Sequence, residues 1–272
     1  METPSKVTLS ERMARLFGIA HRLMAVNLIC FPLMLPVISW FYLLVNSYVH
    51  ASLNLGMVDV LPGVGYFAGL LLRLPIPVFY MLLFLSAIVS GPLILGIHAV
   101  TGRIVMGRHV WVSECFSEAL WNARQGVVLG LCVVIGGHLA LWNVFGGLWS
   151  TVVWIDVLLS ASRLLSVLLF LLFGISFPFV CQVAVSMDQP LWVVVKNGVI
   201  LARVHLARGI PLFAAWVAYG WVTIVLVPWL SLFALPLVSV APWALVQAAV
   251  SRPVIERYLV GPRRRTRDDN AA

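Results

Sequence analysis

The sequence predicts an all-α, polytopic integral membrane helical bundle, and three observations carry that prediction. Of 272 residues, 62% are hydrophobic and only 10% are charged, against roughly 25% charged in a soluble domain. The apolar residues come in runs long enough to cross about 30 Å of hydrocarbon, which takes about 20 helical residues. The basic residues stand at the ends of those runs. The net charge of +8 therefore reads as topology and lipid contact, and nucleic-acid binding is not expected.

Six spans are expected in one domain. The first covers residues 24–48, interrupted by Pro32 and Pro36. It is too long for a signal peptide and lacks a small-residue cleavage site, so an uncleaved first span is expected. The next three cover 76–100, 126–149 and 157–185. Residues 210–250 then form about 41 charge-free positions, too many for one helix. Pro228 and Pro236 divide them into spans at 210–227 and 231–250; a single tilted helix with a re-entrant piece is the alternative.

Charge placement orients this arrangement. With the amino terminus inside, segments 1–24, 101–125, 186–208 and 251–272 are cytoplasmic and hold sixteen of the eighteen Lys and Arg. Only Arg73 and Arg163 fall outside. The positive-inside rule then puts both termini in the cytoplasm of a plasma-membrane protein. The Arg-rich tail, 251–272, suits lipid headgroups.

Two of the cytoplasmic segments echo each other. The stretches starting at Gly91 and Phe177 each carry a proline within a span, a polar turn, a Trp, an Asn, and an Arg before a Gly. Both are expected to hold an amphipathic connector helix on the membrane surface. In the first, Val112, Cys115, Phe116, Ala119, Leu120 and Ala123 recur at helical spacing. Ser113 is the expected N-cap, and Glu114, Glu118 and Asn122 form the wet face. In the second, Asp188 is the expected cap and Pro190 sits near the helix start. Lys196 and Arg203 share a face with Asn197 beside them. Glu114, Glu118, Asn122, Lys196, Asn197 and Arg203 are thus the candidate docking surface.

These blocks carry a family likeness. The stretches "NLICFPLMLP" (Asn27–Pro36), "GPLILGIHAVTGRIV" (Gly91–Val105), "SECFSEALWNARQG" (Ser113–Gly126) and "FPFVCQVAVSMDQPLWVVVKNGVILARVHLARG" (Phe177–Gly209) resemble the YesL-like family of bacterial multi-pass membrane proteins. That family has no assigned function. The resemblance implies a link to carbohydrate uptake, because such proteins often accompany sugar importers, and it implies no mechanism. Residues 37–90 depart from the family pattern.

No constellation for chemistry accompanies these blocks. Asp, Glu, Lys and Arg are absent from mid-depth, where proton relays and substrate paths place them. Asn27, His98 and Gln182 are the candidate intramembrane polar lining, although interhelical hydrogen bonding is the commoner role for such singletons. Asp156 and Asp188 fall on opposite sides, and no His spacing suits a metal. Cys30, Cys115, Cys132 and Cys181 form no C-x-x-C pair. Most of the eleven Trp cluster at span ends as an interfacial belt. Gly136–Gly137 and Gly146–Gly147 are candidates for close helix packing.

The expectation is a protein without catalytic residues, metal or cofactor. It would serve as an accessory or regulatory component whose partners are the bilayer and a membrane transporter. The alternative is a transport permease in its own right. "NGVILARVHLARGIPLF" resembles, loosely, the coupling helix of importer permeases.

Overall fold

The computed structural model describes residues 18–38, 75–145, 153–220, 222 and 240–260, and no strand occurs among them. Eight helices follow in order. They are α1 (Gly18–Ile38), α2 (Ile76–Val105), α3 (Val112–Trp121) and α4 (Ala123–Phe145). Then come α5 (Val153–Ser186), α6 (Leu191–Val204), α7 (Leu206–Gly220) and α8 (Ala241–Ile255), the last closed by a π-turn at Glu256–Val260.

Among the described residues, four stretches are long and apolar enough to cross a membrane: Gly18–Ile38, Tyr80–Val105, Ala123–Ala140 and Val157–Ser186. A fifth exists if α6 and α7, bent by 98° at their junction, count together. The described residues thus form an all-helical assembly with four or five long apolar helices. Of the last two expected spans, α7 covers the start of 210–227 and α8 begins ten residues inside 231–250. Residues 223–239 lie outside the described residues, as do Pro228, Pro236, Gly146–Gly147 and the tail beyond Val260.

Helix α2 is the central element, touching α3, α4, α5 and α8 and sharing a core with α1. Its closest neighbour is α4. A Cβ on Gly91 would overlap the Gly126 carbonyl, and one on Gly130 would overlap the Ala87 carbonyl. Ala87 and Gly91 on α2 thus face Gly126 and Gly130 on α4, small residues four apart on both helices. In lipid, where apolar burial gives no net drive, such close backbone approach is what holds helices together. Gly136 has open space around it, and the close approach of α4 to α2 is at Gly126 and Gly130. Farther along, Asn143 Nδ2 donates to the Ser162 carbonyl at 3.0 Å and to Ser166 Oγ at 2.7 Å. That clasp joins α4 to α5.

The described chain contains the same unit twice: a long helix with an internal proline (Pro92, Pro178), a short amphipathic helix, then a return helix. Two expected caps are corrected. The N-cap of α3 is Trp111, whose N–H is taken by Glu114 Oε1 at 2.9 Å, so Ser113 lies within the first turn. Glu114 reaches back three residues and satisfies the cap position itself. Pro190 is the N-cap of α6, its carbonyl accepting from Val193 and Val194 at 2.9 and 3.1 Å. Asp188 stands outside that helix.

Candidate functional site

The polar side chains gather where α2, α5 and α8 end. Each connector folds back across its parent helix short of that helix's carboxyl end. Helix α3 crosses α2 at Gly96, where a Cβ would overlap the Cys115 carbonyl and stand 3.0 Å from Ala119 Cβ. Helix α6 crosses α5 at Val180, with Gly198 against it. From Ile76 to Gly96, α2 rises about 30 Å, and from Val157 to Val180, α5 rises about 35 Å. Both crossings therefore fall about one hydrocarbon thickness from Ile76 and Val157, where the expected spans begin.

Beyond the crossings lies a buried polar cluster. Gln182 Nε2 donates to the His98 carbonyl at 2.9 Å and lies 3.2 Å from His98 Nδ1. Nδ1 is then the acceptor, and the ring proton sits on Nε2. Gln182 Oε1 has no hydrogen-bond partner among the described residues. It faces Gly102, where a Cβ would come within 2.9 Å of it. Thr101 turns its hydroxyl back to the Ile97 carbonyl at 2.8 Å. One turn past Gln182, Ser186 bonds to the Gln182 carbonyl and receives Arg252 Nη1. Arg252 Nη2 reaches Glu256 at 2.9 Å and Met106 Sδ at 3.6 Å. With a side chain 13% exposed, Arg252 is a nearly buried cation neutralised by the acid one turn on.

Helix α3 is fixed by a second network. Arg103, near the end of α2, forms ion pairs with Glu114 at 2.8 Å and with Glu118. Asn122 is buried and donates to the Glu118 carbonyl at 2.9 Å. The three candidate docking residues of α3 are thus engaged within the chain. The Cys115 thiol is buried within hydrogen-bond reach of Cys30 on α1. That contact first, and burial second, push it above the usual thiol range.

On α6 the outcome is different. Lys196 and Arg203 are exposed, while Asn197 Nδ2 donates to Gln189 Oε1 at 3.3 Å. Trp192 is 76% exposed and Val204 64%. Leu120 and Trp121, at the end of α3, are 78% and 84% exposed.

Of the candidate polar lining, His98 and Gln182 meet and Asn27 does not join them. Asn27 Oδ1 accepts the N–H groups of Val240 and Ala241 at 2.9 and 3.0 Å. It caps the amino terminus of α8, which starts inside the bundle, and satisfies two of the donors that a helix start leaves open. Two small cavities, each about 10 Å³, lie beside α2. One is walled by Gly91, Leu95, Leu129 and Phe177, the other by Leu23, Val26, Val100 and Trp111. Neither exceeds about one water molecule, and neither includes His98 or Gln182. Among the described residues no three His, Cys, Asp or Glu converge.

The sequence reading passed over Arg103, Ser186, Arg252 and Glu256. A signal existed for the last pair, since Arg252 and Glu256 stand one helical turn apart. Comparison of the chain with protein-family models, curated proteins and solved structures gives no match in any of the three.

Proposed function

We propose that this chain is a non-enzymatic accessory or regulatory membrane protein. It would be a YesL-like protein with six spans and both termini in the cytoplasm, acting on a membrane transporter. The observation that carries this reading is how the polar groups are used. His98 with Gln182, Arg103 with Glu114 and Glu118, and Arg252 with Ser186 bond across helices, and Arg252 also pairs with Glu256 one turn on. The two small cavities beside α2, which these residues do not line, hold about one water each. Side chains so engaged hold helices together, and what is left for other molecules is the outer surface of the connectors. The link to carbohydrate import rests on the family resemblance alone, and the six-span count rests on the sixteen Lys and Arg that it places on one side.

Mild solubilisation of native membranes and affinity capture of the full chain test the reading. A transporter subunit is expected to come down in fixed ratio, and recovery of the chain alone would count against it. One observation favours the second reading, a permease in its own right: Gln182 Oε1 is fully buried beside His98 and has no partner among the described residues. Solute flux into vesicles reconstituted with the purified chain alone would support that reading and displace the first.

A further inference from the structure

The outward face of α6 is suited neither to water nor to hydrocarbon. Trp192, Lys196, Ile200, Arg203 and Val204 fall within about 120° of arc at 100° per residue. All five are exposed. Arg208, just past the bend, is exposed as well. The opposite face buries Val194, Gly198, Leu201 and Ala202 against the bundle. A bare Trp, Ile and Val are unfavourable in water, and a Lys with two Arg are unfavourable in acyl chains. The headgroup layer takes both.

The position of α6 agrees with its composition. Helix α7 runs back along α5, with Gly174 against Phe213 and Gly209 against Ile175. Helix α6 lies at 98° to α7, so it lies across the bundle axis. It crosses α5 about 35 Å from Val157, at the depth where hydrocarbon gives way to headgroups. The charge on this face has one sign. No Asp or Glu occurs between Asp188 and Glu256, and the ion pairs among the described residues use Arg103 and Arg252. Lys196, Arg203 and Arg208 belong to none of them.

We propose that the outward face of α6, through Trp192, Lys196, Arg203 and Arg208, binds the acidic phospholipid headgroups of the membrane that holds the bundle. The phosphates supply the negative charge that the described residues do not bring to these three cations, and Trp192 anchors the helix at the carbonyl level. This inference gives the α6 part of the connector surface to lipid and leaves the exposed end of α3, with Leu120 and Trp121, to a protein partner. It needs only the membrane-embedded bundle.

The test uses the full chain reconstituted in phosphatidylcholine bilayers carrying trace spin-labelled phosphatidylglycerol or phosphatidylcholine. The wild-type chain is expected to hold the acidic label about threefold more strongly than the zwitterionic one, with the preference falling as salt rises. The variant K196Q/R203Q/R208Q is expected to lose most of that preference, whereas R108Q/R124Q, on the segment around α3, is expected to keep it. Equal association of the two labels with wild-type chain would overturn the proposal. So would a preference that survives the triple variant, or one that R108Q/R124Q abolishes equally. A second measurement needs no charge variant. The emission lost in W192F is the Trp192 signal, and brominated phosphatidylglycerol should quench it more than brominated phosphatidylcholine at the same mole fraction. Equal quenching would overturn the proposal too. A Trp192 signal shielded from both lipids by a co-purifying protein would make the face a protein surface, which is also a refutation.

Discussion

The two helix–connector–helix units share one construction and differ in what they do with their charges. In the first, α3 brings Glu114 and Glu118 to Arg103 on its own parent helix, and Asn122 turns inward. In the second, α6 keeps Lys196 and Arg203 outward, with no acid on the chain from Gln189 to Ile255. The small residue that permits contact also changes sides: Gly96 belongs to the parent helix of the first unit, and Gly198 to the connector of the second. One connector is therefore tied down by polar bonds as well as packing. The other is held by packing, which leaves its charges free to act outward.

The largest effects are expected where packing alone does the holding. A Cβ at residue 198 would stand 2.5 Å from Val180 Cγ2 and 2.8 Å from the Val180 backbone. Backbone cannot yield cheaply, so Gly198→Leu should cost about 3 kcal/mol. That corresponds to a fall of roughly 6–12 °C in apparent Tm, read by thermal loss of the monodisperse peak in detergent. Gly96→Leu should lose a similar amount, because the overlap there is with the Cys115 carbonyl. Should Gly198→Leu prove neutral, α6 is not seated on α5 as described.

Next in size is the charge contrast itself. Arg103→Gln leaves Glu114 and Glu118, one turn apart, without their shared cation. Exposure of about a third at Arg103 holds the expected loss to about 1 kcal/mol. Lys196→Gln, its counterpart on α6, should stay within about 0.5 kcal/mol. Equal losses would erase the distinction between a tied and an untied connector. The Cys115 thiol reports the same docking. Its raised pKa means little thiolate at pH 8, so alkylation should be slow and should keep climbing at pH values where an ordinary thiol has levelled off. Loosening α3 by about 1 kcal/mol in Arg103→Gln should speed it about fivefold, as read by peptide mass. An unchanged rate would mean that Cys115 is shielded by something other than the docked helix.

Most of the architecture was legible because lipid imposes it. Hydropathy located α2, α4 and α5 to within a few residues, since every backbone polar group in hydrocarbon must be satisfied within a helix. Both amphipathic connectors were legible, the first from the spacing of Cys115 and Ala119 and the second from Lys196 and Arg203 seven apart on one face. The site was less so. The wet face assigned to Glu114 and Glu118 came from periodicity within α3, which cannot register an arginine eleven and fifteen residues earlier on another helix. His98 and Gln182 stand 84 residues apart, and nothing local to either names the other. The packing glycines were missed for a different reason. Adjacent pairs drew attention, whereas contact needs small residues four apart on one face, as at Gly126 and Gly130.

The smallest expected effect concerns the bond that joins the two units. Gln182 on α5 reaches the carbonyl and Nδ1 of His98 on α2, so Gln182→Leu removes a direct polar tie between the two parent helices. Interhelical hydrogen bonds in membranes average about 0.6 kcal/mol, and here the substitution brings an offset. It deletes the side-chain carbonyl oxygen Oε1 of Gln182, a buried acceptor with no partner among the described residues, and burying such a group carries its own cost. Leucine has nearly the same reach, so packing near Gly102 is kept. The expected loss is therefore about 0.6 kcal/mol or less, measured as above and set against Gly198→Leu. A loss above about 2 kcal/mol would mean that Oε1 is satisfied in the membrane, by water or a bound solute. The junction between the units would then be a polar site in use, and the permease reading would gain what the accessory reading loses.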